Sequence, residues 1–172
     1  MDLFTTNRTR VRRFTHRDQE SFFRINGDPK VMEFIRPAKS REDCDIFLLE
    51  NLFFYREGSL LGRYAVEEKA GGRFLGSFSF LYLSGEADYH IGYALLPEFW
   101  GQGYATELVL EGIRYFFDHT QQPQLFAIIR ANHQLSQKVL ERSGFGYKGV
   151  KEENGEQLAL FYIDRPAAAS AK

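Results

Sequence analysis

Leu95-Leu96-Pro97-Glu98-Phe99-Trp100-Gly101-Gln102-Gly103-Tyr104-Ala105-Thr106-Glu107 reads as the end of a strand, a glycine loop and the first turn of a helix. Pro97 cannot donate to a ladder and ends the strand. Gly101, Gly103 and the small Ala105 let the backbone approach a ligand closely. The free N–H groups of the turn, from Gly101 through Gln102, Gly103, Tyr104 and Ala105 to Thr106, then face that ligand, and the helix dipole favours negative charge there. A phosphate or pyrophosphate is the natural occupant. Leu108, Val109, Gly112, Ile113, Phe116 and Phe117 follow at helical spacing and read as a core stripe.

Two phosphate-binding patterns fail here. A P-loop requires Gly-Lys-Ser/Thr at the helix start, and Gly103-Tyr104-Ala105 has no lysine. A dinucleotide fingerprint requires a third glycine where Thr106 stands.

Outward from the loop, the chain divides into alternating patterns. Residues 6–14 read as a strand in which Thr9, Val11 and Arg13 alternate with Arg8, Arg10 and Arg12, the arginines forming a solvated face. Asp18 is positioned to cap a helix carrying Phe22, Phe23 and Ile25, ended by Gly27-Asp28-Pro29. A second helix starts near Ser40, buries Ile46, Phe47, Leu49 and Phe53, and stops at Gly58. Residues 62–69 and 73–84 form a hairpin about Gly71-Gly72, and residues 88–96 a third strand. A helix (103–118), a strand (124–130), a helix (132–143) and a strand (146–152) follow, and Asn154-Gly155 turns the chain into a last strand, 157–164. The β-α-β stretch requires a parallel strand pair, so the fold class is α/β with a mixed sheet and helices on both faces.

A length of 172 residues is that of one domain, and 17 Phe and 9 Tyr supply a full core; only the tail 166–172 reads as frayed. With 22 Lys+Arg against 23 Asp+Glu, nucleic acid is not the expected partner. The absence of a long apolar run argues against a membrane partner. A single cysteine, Cys44, and an N-terminus without a basic, apolar leader agree with a cytoplasmic protein. No His/Cys/Asp/Glu cluster has metal spacing, so no metal is expected.

The stretch Ile91-Gly92-Tyr93-Ala94-Leu95-Leu96-Pro97-Glu98-Phe99-Trp100-Gly101-Gln102-Gly103-Tyr104-Ala105-Thr106-Glu107 resembles the acetyl-coenzyme A motif of the Gcn5-related N-acetyltransferases (GNAT), and is closest to their ribosomal-protein N-terminal acetyltransferase branch. Ser136-Gln137-Lys138-Val139-Leu140-Glu141-Arg142-Ser143-Gly144-Phe145 resembles that branch's second motif. The resemblance implies a mostly antiparallel mixed sheet and an enzyme that moves the acetyl group of acetyl-coenzyme A to an amine. It implies that the pyrophosphate rests on the N–H groups of Gly101 to Thr106. Trp100 departs from the Gln or Arg of the family pattern, which leaves the binding to the backbone. The pantetheine would pair with the preceding strand through Ala94, Leu95 and Leu96, with the Leu95 N–H facing the thioester oxygen.

For proton transfer, His90 is the best placed imidazole, unless it is a half-buried strand residue without a role; Glu86 and Asp88 come second. The tyrosine that serves many relatives as acid to the sulfur is replaced by Leu140. Ser136, one turn earlier, either substitutes for it or bonds the pantetheine. Asn132 stands four residues before Ser136, with His133 in the place usual for asparagine; either reaches the cofactor, and Asn132 also reads as an N-cap. The acceptor is a protein N-terminus, an amino acid or another small amine, and the chain is a monomer or a homodimer. The alternative is a non-catalytic domain that senses coenzyme A.

Overall fold

A computed structural model describes residues 1–168 of the chain; the rest of the tail expected to fray, 169–172, lies outside the described residues. Eight strands build one sheet: β1 (Asp2–Thr5), β2 (Thr9–Arg13), β3 (Gly62–Glu68), β4 (Phe74–Tyr82), β5 (Tyr89–Leu95), β6 (Gln124–Arg130), β7 (Gly146–Glu153) and β8 (Glu156–Asp164). Their spatial order is β1-β2-β3-β4-β5-β6-β8-β7, and every neighbouring pair is antiparallel except β5 and β6. The helices are α1 (Gln19–Asn26), α2 (Pro29–Met32), α3 (Arg41–Phe54), α4 (Tyr104–His119) and α5 (Gln134–Arg142).

Strand alternation sends two sets of side chains to opposite faces. Phe78, Phe80 and Ile91 turn toward α4. Phe80 packs on Phe116, with centroids 5.6 Å apart. A Cβ on Gly112 would lie 2.7 Å from Phe78 Cζ and 3.0 Å from Ile91 Cδ1, so only glycine lets α4 approach this closely. The other face carries Arg63, Ser77 and Ser79 and meets α1 and α3; Phe47 of α3 lies under the Arg63 guanidinium at 4.5 Å.

Several expectations are corrected by packing. The inward line of α3 is Cys44, Leu48 and Asn51, whereas Ile46, Leu49 and Phe53 are 52%, 54% and 73% exposed. The phase is set by a polar residue: Asn51 accepts from the Arg63 N–H (2.9 Å) and donates to the Arg63 carbonyl (3.0 Å), tying α3 to the start of β3. Counting apolar residues alone therefore selects the wrong stripe.

The arginine row is not simply solvated. Arg12 makes a two-pronged bond to Asp18 (2.9 Å each) and a second to Glu67, which Arg10 also holds. Burial pushes the Asp18 and Glu67 carboxyls up, but their arginine partners hold both below the usual range. Asp18 stands at the α1 N-cap, yet its carboxylate takes the Thr15 N–H (2.7 Å) and Arg12 rather than a helix N–H. The α5 N-cap is His133, not Asn132. Two short elements carry no periodic signal. The strand β1 is four residues long, and α2 begins at Pro29, the residue expected to end α1, capped by Asp28 Oδ1 on the Lys30 N–H at 2.8 Å.

Candidate active site

The parallel pair β5–β6 is joined at one register position, His90↔Phe126. Beyond it the strands part. The Leu96 N–H bonds the Leu75 carbonyl of β4 at 2.9 Å, so alternation turns the backbone groups of Leu95 and Tyr93 the other way, into the gap where β6 no longer meets them. This is an open sheet edge inside the molecule, able to accept an extended ligand as a partial strand.

At the C-terminal end of β5 the chain makes a single 3₁₀ turn (Pro97–Phe99) and enters the glycine loop. Gly101 and Gly103 have φ of 72° and 83°, the left-handed region that disfavours side chains, and Gly103 is the α4 N-cap with no side chain over the helix N–H groups. The Trp100 indole N–H donates to the Leu95 carbonyl (2.7 Å), and Gln102 Nε2 donates to the Glu98 carbonyl (2.8 Å). From the other side Arg8 Nη2 donates to the Gln102 carbonyl (3.0 Å), and its guanidinium lies 4.0 Å from the Tyr104 ring centroid. Glu107, in the first turn of α4, receives the Arg8 N–H (2.8 Å), Arg8 Nε (2.8 Å) and the Thr6 hydroxyl. Burial pushes the Glu107 carboxyl up, but these donors hold it below its ordinary range. The loop is thus locked on its back while its N–H groups stay available at the front.

A cavity of about 530 Å³ lies where the strands part. His90, Gly92, Tyr93 and Ala94 of β5 line it, with Ser136 of α5 and Arg63 of β3. Ser77, Ser79, Gly92 and Ala94 make a low floor, which is why a hollow exists over this part of the sheet. Burial, reinforced by Arg63, lowers the His90 pKa to about 4, so the imidazole is neutral at neutral pH. The Tyr93 hydroxyl shares a 2.8 Å hydrogen bond with Ser136 Oγ. Burial pushes Tyr93 up to about 12, so it stays a protonated phenol.

This arrangement has counterparts among known proteins. A family model described as "Acetyltransferase (GNAT) domain" matches residues 8–146. The chain belongs to the GNAT acetyltransferase family. YkkB of Bacillus subtilis (strain 168), described as an uncharacterized protein, is 26% identical to this acetyltransferase over 159 residues, covering 91% of this chain and 92% of that one. The fold matches a GNAT-family acetyltransferase from Bacillus anthracis with a TM-score of 0.79 at 22% identity, covering 94% of this chain and 97% of the other. It also matches RimL, a ribosomal alpha-N-protein acetyltransferase, in complex with coenzyme A, with a TM-score of 0.79 at 15% identity over 95% and 98% of the two chains.

The structure brings His90, Ala94 and Ser136 of this GNAT protein to one cavity and sets Trp100 to Thr106 apart from it, at the end of the same strand. Leu95 and Leu96 are buried, 6% and 3% exposed; contrary to expectation Leu96 offers no backbone group, its N–H being on Leu75 and its carbonyl on the Phe99 N–H, so it is the Leu95 N–H that faces the gap. Tyr104 is buried too, its hydroxyl on Glu68 at 3.2 Å. Asn132 is exposed outside the cavity wall, its carbonyl taken by the Gln134 N–H at 3.0 Å. His133 does line the cavity, stacked on Phe34 with centroids 4.4 Å apart. Leu140, where a tyrosine is usual in the family, is a core residue 1% exposed. Sequence reasoning did not single out Tyr93, whose phenol lines the cavity beside Ser136, and it passed over Arg63 and Arg36 altogether. Tyr93 was discoverable, since period two places it beside the gap; the two arginines stand in segments with no motif.

Proposed function

We propose that the protein transfers the acetyl group of acetyl-coenzyme A to a primary amine by direct attack within a ternary complex. The observation that carries this reading is the parting of β5 and β6 after one bridge, with the locked glycine loop at one end of the gap and a cavity holding His90, Tyr93 and Ser136 at the other. The N–H groups from Gly101 to Thr106, beside Trp100, receive the pyrophosphate. The backbone groups of Leu95 and Tyr93, turned into the gap, pair with the pantetheine arm, which Ser136 flanks from α5. The Leu95 N–H, turned into the gap, stabilises negative charge on the thioester oxygen as the amine attacks.

The chemistry needs a neutral amine and a protonated thiol product. A protein or small-molecule α-amine of reference pKa about 7.7–8.0 is partly neutral at physiological pH. As the C–N bond forms, that nitrogen becomes acidic and His90, already neutral, takes its proton. When the C–S bond breaks, the Tyr93–Ser136 pair delivers a proton to the leaving sulfur and is refilled from solvent as His90 gives its proton up there, with Tyr93 filling the role vacant at Leu140. The products are an amide and free coenzyme A.

The test is release of free thiol from acetyl-coenzyme A in the presence of an amine panel, with the acetylated product identified by mass. One thiol per amide is the expected stoichiometry. Tight coenzyme A binding without turnover on any amine would replace the enzyme with a coenzyme A sensor.

A further inference from the structure

Cations crowd one wall of the cavity and lack carboxylate partners. Arg36, from the segment between α2 and α3, and Arg63, from β3, both line it. Their guanidinium carbons lie 5.1 Å and 4.5 Å from the same ring, that of Phe47, which also carries Lys39 Nζ at 4.9 Å. Among the described residues no salt bridge involves Arg36, Arg63 or Lys39, although eleven ion pairs bind other cations. Arg36 Nη2 donates to Asn26 Oδ1 at 2.8 Å, and its Nε is buried with no hydrogen-bond partner.

Two half-buried guanidiniums on one aromatic ring repel each other and are poorly solvated. Burial, then the neighbouring Arg36, lower the Arg63 pKa to about 10, and burial lowers Arg36 as well. A like-charged pair of this kind is costly without a counter-charge and is relieved by an anion between the two groups. The acidic residues of the cavity do not supply that anion: Glu156 is held by Arg130 at 3.2 Å, and Glu153 accepts the Ser84 N–H at 2.9 Å. Glu50 favours the Arg63 cation but makes no salt bridge with it among the described residues. A planar guanidinium fork matches a carboxylate in a way an ammonium does not.

We propose that Arg36 and Arg63 receive the carboxylate of the acceptor, so that the amine acetylated is a small one bearing an anionic group, as in a free amino acid, and not a polyamine. This rests on the acetyltransferase reading above. Arg63 pairs through Ser79 with Gly92 across the sheet, on the same face as His90 and Ala94. An acceptor anchored there lies on the floor of the cavity beside the imidazole that takes its proton.

The experiment compares kcat/KM for the twenty L-amino acids, the matching amino-acid amides and spermidine, in the wild type and in Arg63→Met, Arg36→Met and Arg63→Lys. The wild type is expected to prefer the best acid over its own amide by at least about 100-fold. Arg63→Met brings that ratio to within about threefold of one, Arg36→Met lowers it by about tenfold, and Arg63→Lys restores part of it. The ratio compares two acceptors on one protein sample, so partial misfolding of a variant does not mimic the effect. Amides or spermidine used as well as acids overturn the proposal and leave the acetyltransferase standing. So does turnover of neutral amines alone, or a ratio unmoved by both methionine variants. Failure of the wild type to bind acetyl-coenzyme A by calorimetry brings down the enzymatic reading itself, and this proposal with it.

Discussion

The two ends of β5 are built by different means. At the C-terminal end the glycine loop presents backbone N–H groups, and the side chains near it (Trp100, Gln102, Arg8, Glu107) hold the turn in shape. Toward the middle of the strand the cavity works with side chains, and its key groups come from β3, β5, α5 and the segment before α3. A backbone site is insensitive to pH and, on the proposed function, takes the cofactor that the family shares. A side-chain site titrates and, on the same proposal, takes the particular acceptor.

The largest expected effect tests the pH half of that contrast. His90 has a folded pKa lowered to about 4, against an ordinary 6.5. Between those values the unfolded chain binds the extra proton and the native one does not, so stability rises with pH across that window. The neutral imidazole's contribution is present above pH 6.5 and lost as pH falls toward 4, a difference on the order of 3 kcal/mol. His90→Gln is expected to flatten this part of the urea-unfolding profile between pH 4 and 7. An unchanged slope would show that the imidazole is solvated and that the cavity end is no more titratable than the loop.

Next comes the loop itself. A β-branched side chain at Gly103, φ 83°, strains the backbone by about 1–3 kcal/mol. Gly103→Val is therefore expected to weaken acetyl-coenzyme A by roughly 30-fold, with the acid-to-amide preference intact. Loss of that preference together with cofactor affinity would mean that the two ends are one site. A smaller, kinetic effect belongs to the cavity end: Tyr93→Phe removes the phenol that shares a proton with Ser136. Its kcat is expected to fall by about tenfold, ~1.4 kcal/mol of barrier, with little change in acetyl-coenzyme A affinity. Restoration of kcat with a thioester of a more acidic thiol would identify the lost step as protonation of sulfur.

The contrast also explains how much could be read from the chain alone. A backbone site must repeat its conformation locally, and positive φ at Gly101 and Gly103 leaves a mark in sequence, so the loop and its helix were legible. The succession of elements, β1 and α2 apart, and the presence of a parallel pair followed from period-two segments and the β-α-β crossover; the spatial order of the strands did not. Arg36 and Arg63 are 27 positions apart in unrelated segments, and nothing local demands an arginine at either. They come together only through the packing of α3, whose Phe47 ring both approach and whose phase depends on Asn51 bonding the backbone of Arg63. A polar residue that faces inward defeats a hydrophobic count, so the same interaction hid both the helix face and the cations beside it.

The smallest expected effect concerns the back of the loop. Arg8 and Glu107 touch the loop from behind, and the Arg8 side chain is 40% exposed, that of Glu107 20%. An ion pair this open contributes about 0.2–1 kcal/mol. It is also one of several restraints on Gly103, since Trp100 and Gln102 hold the same turn independently. Arg8→Ala is therefore expected to raise the KM for acetyl-coenzyme A about two- to threefold, and the increase should be reproduced by Glu107→Gln. The double variant should cost little more than either single one, because both remove the same restraint. Additive losses would place Arg8 in direct contact with the cofactor's phosphates, and the loop would then share with the cavity a reliance on charged side chains.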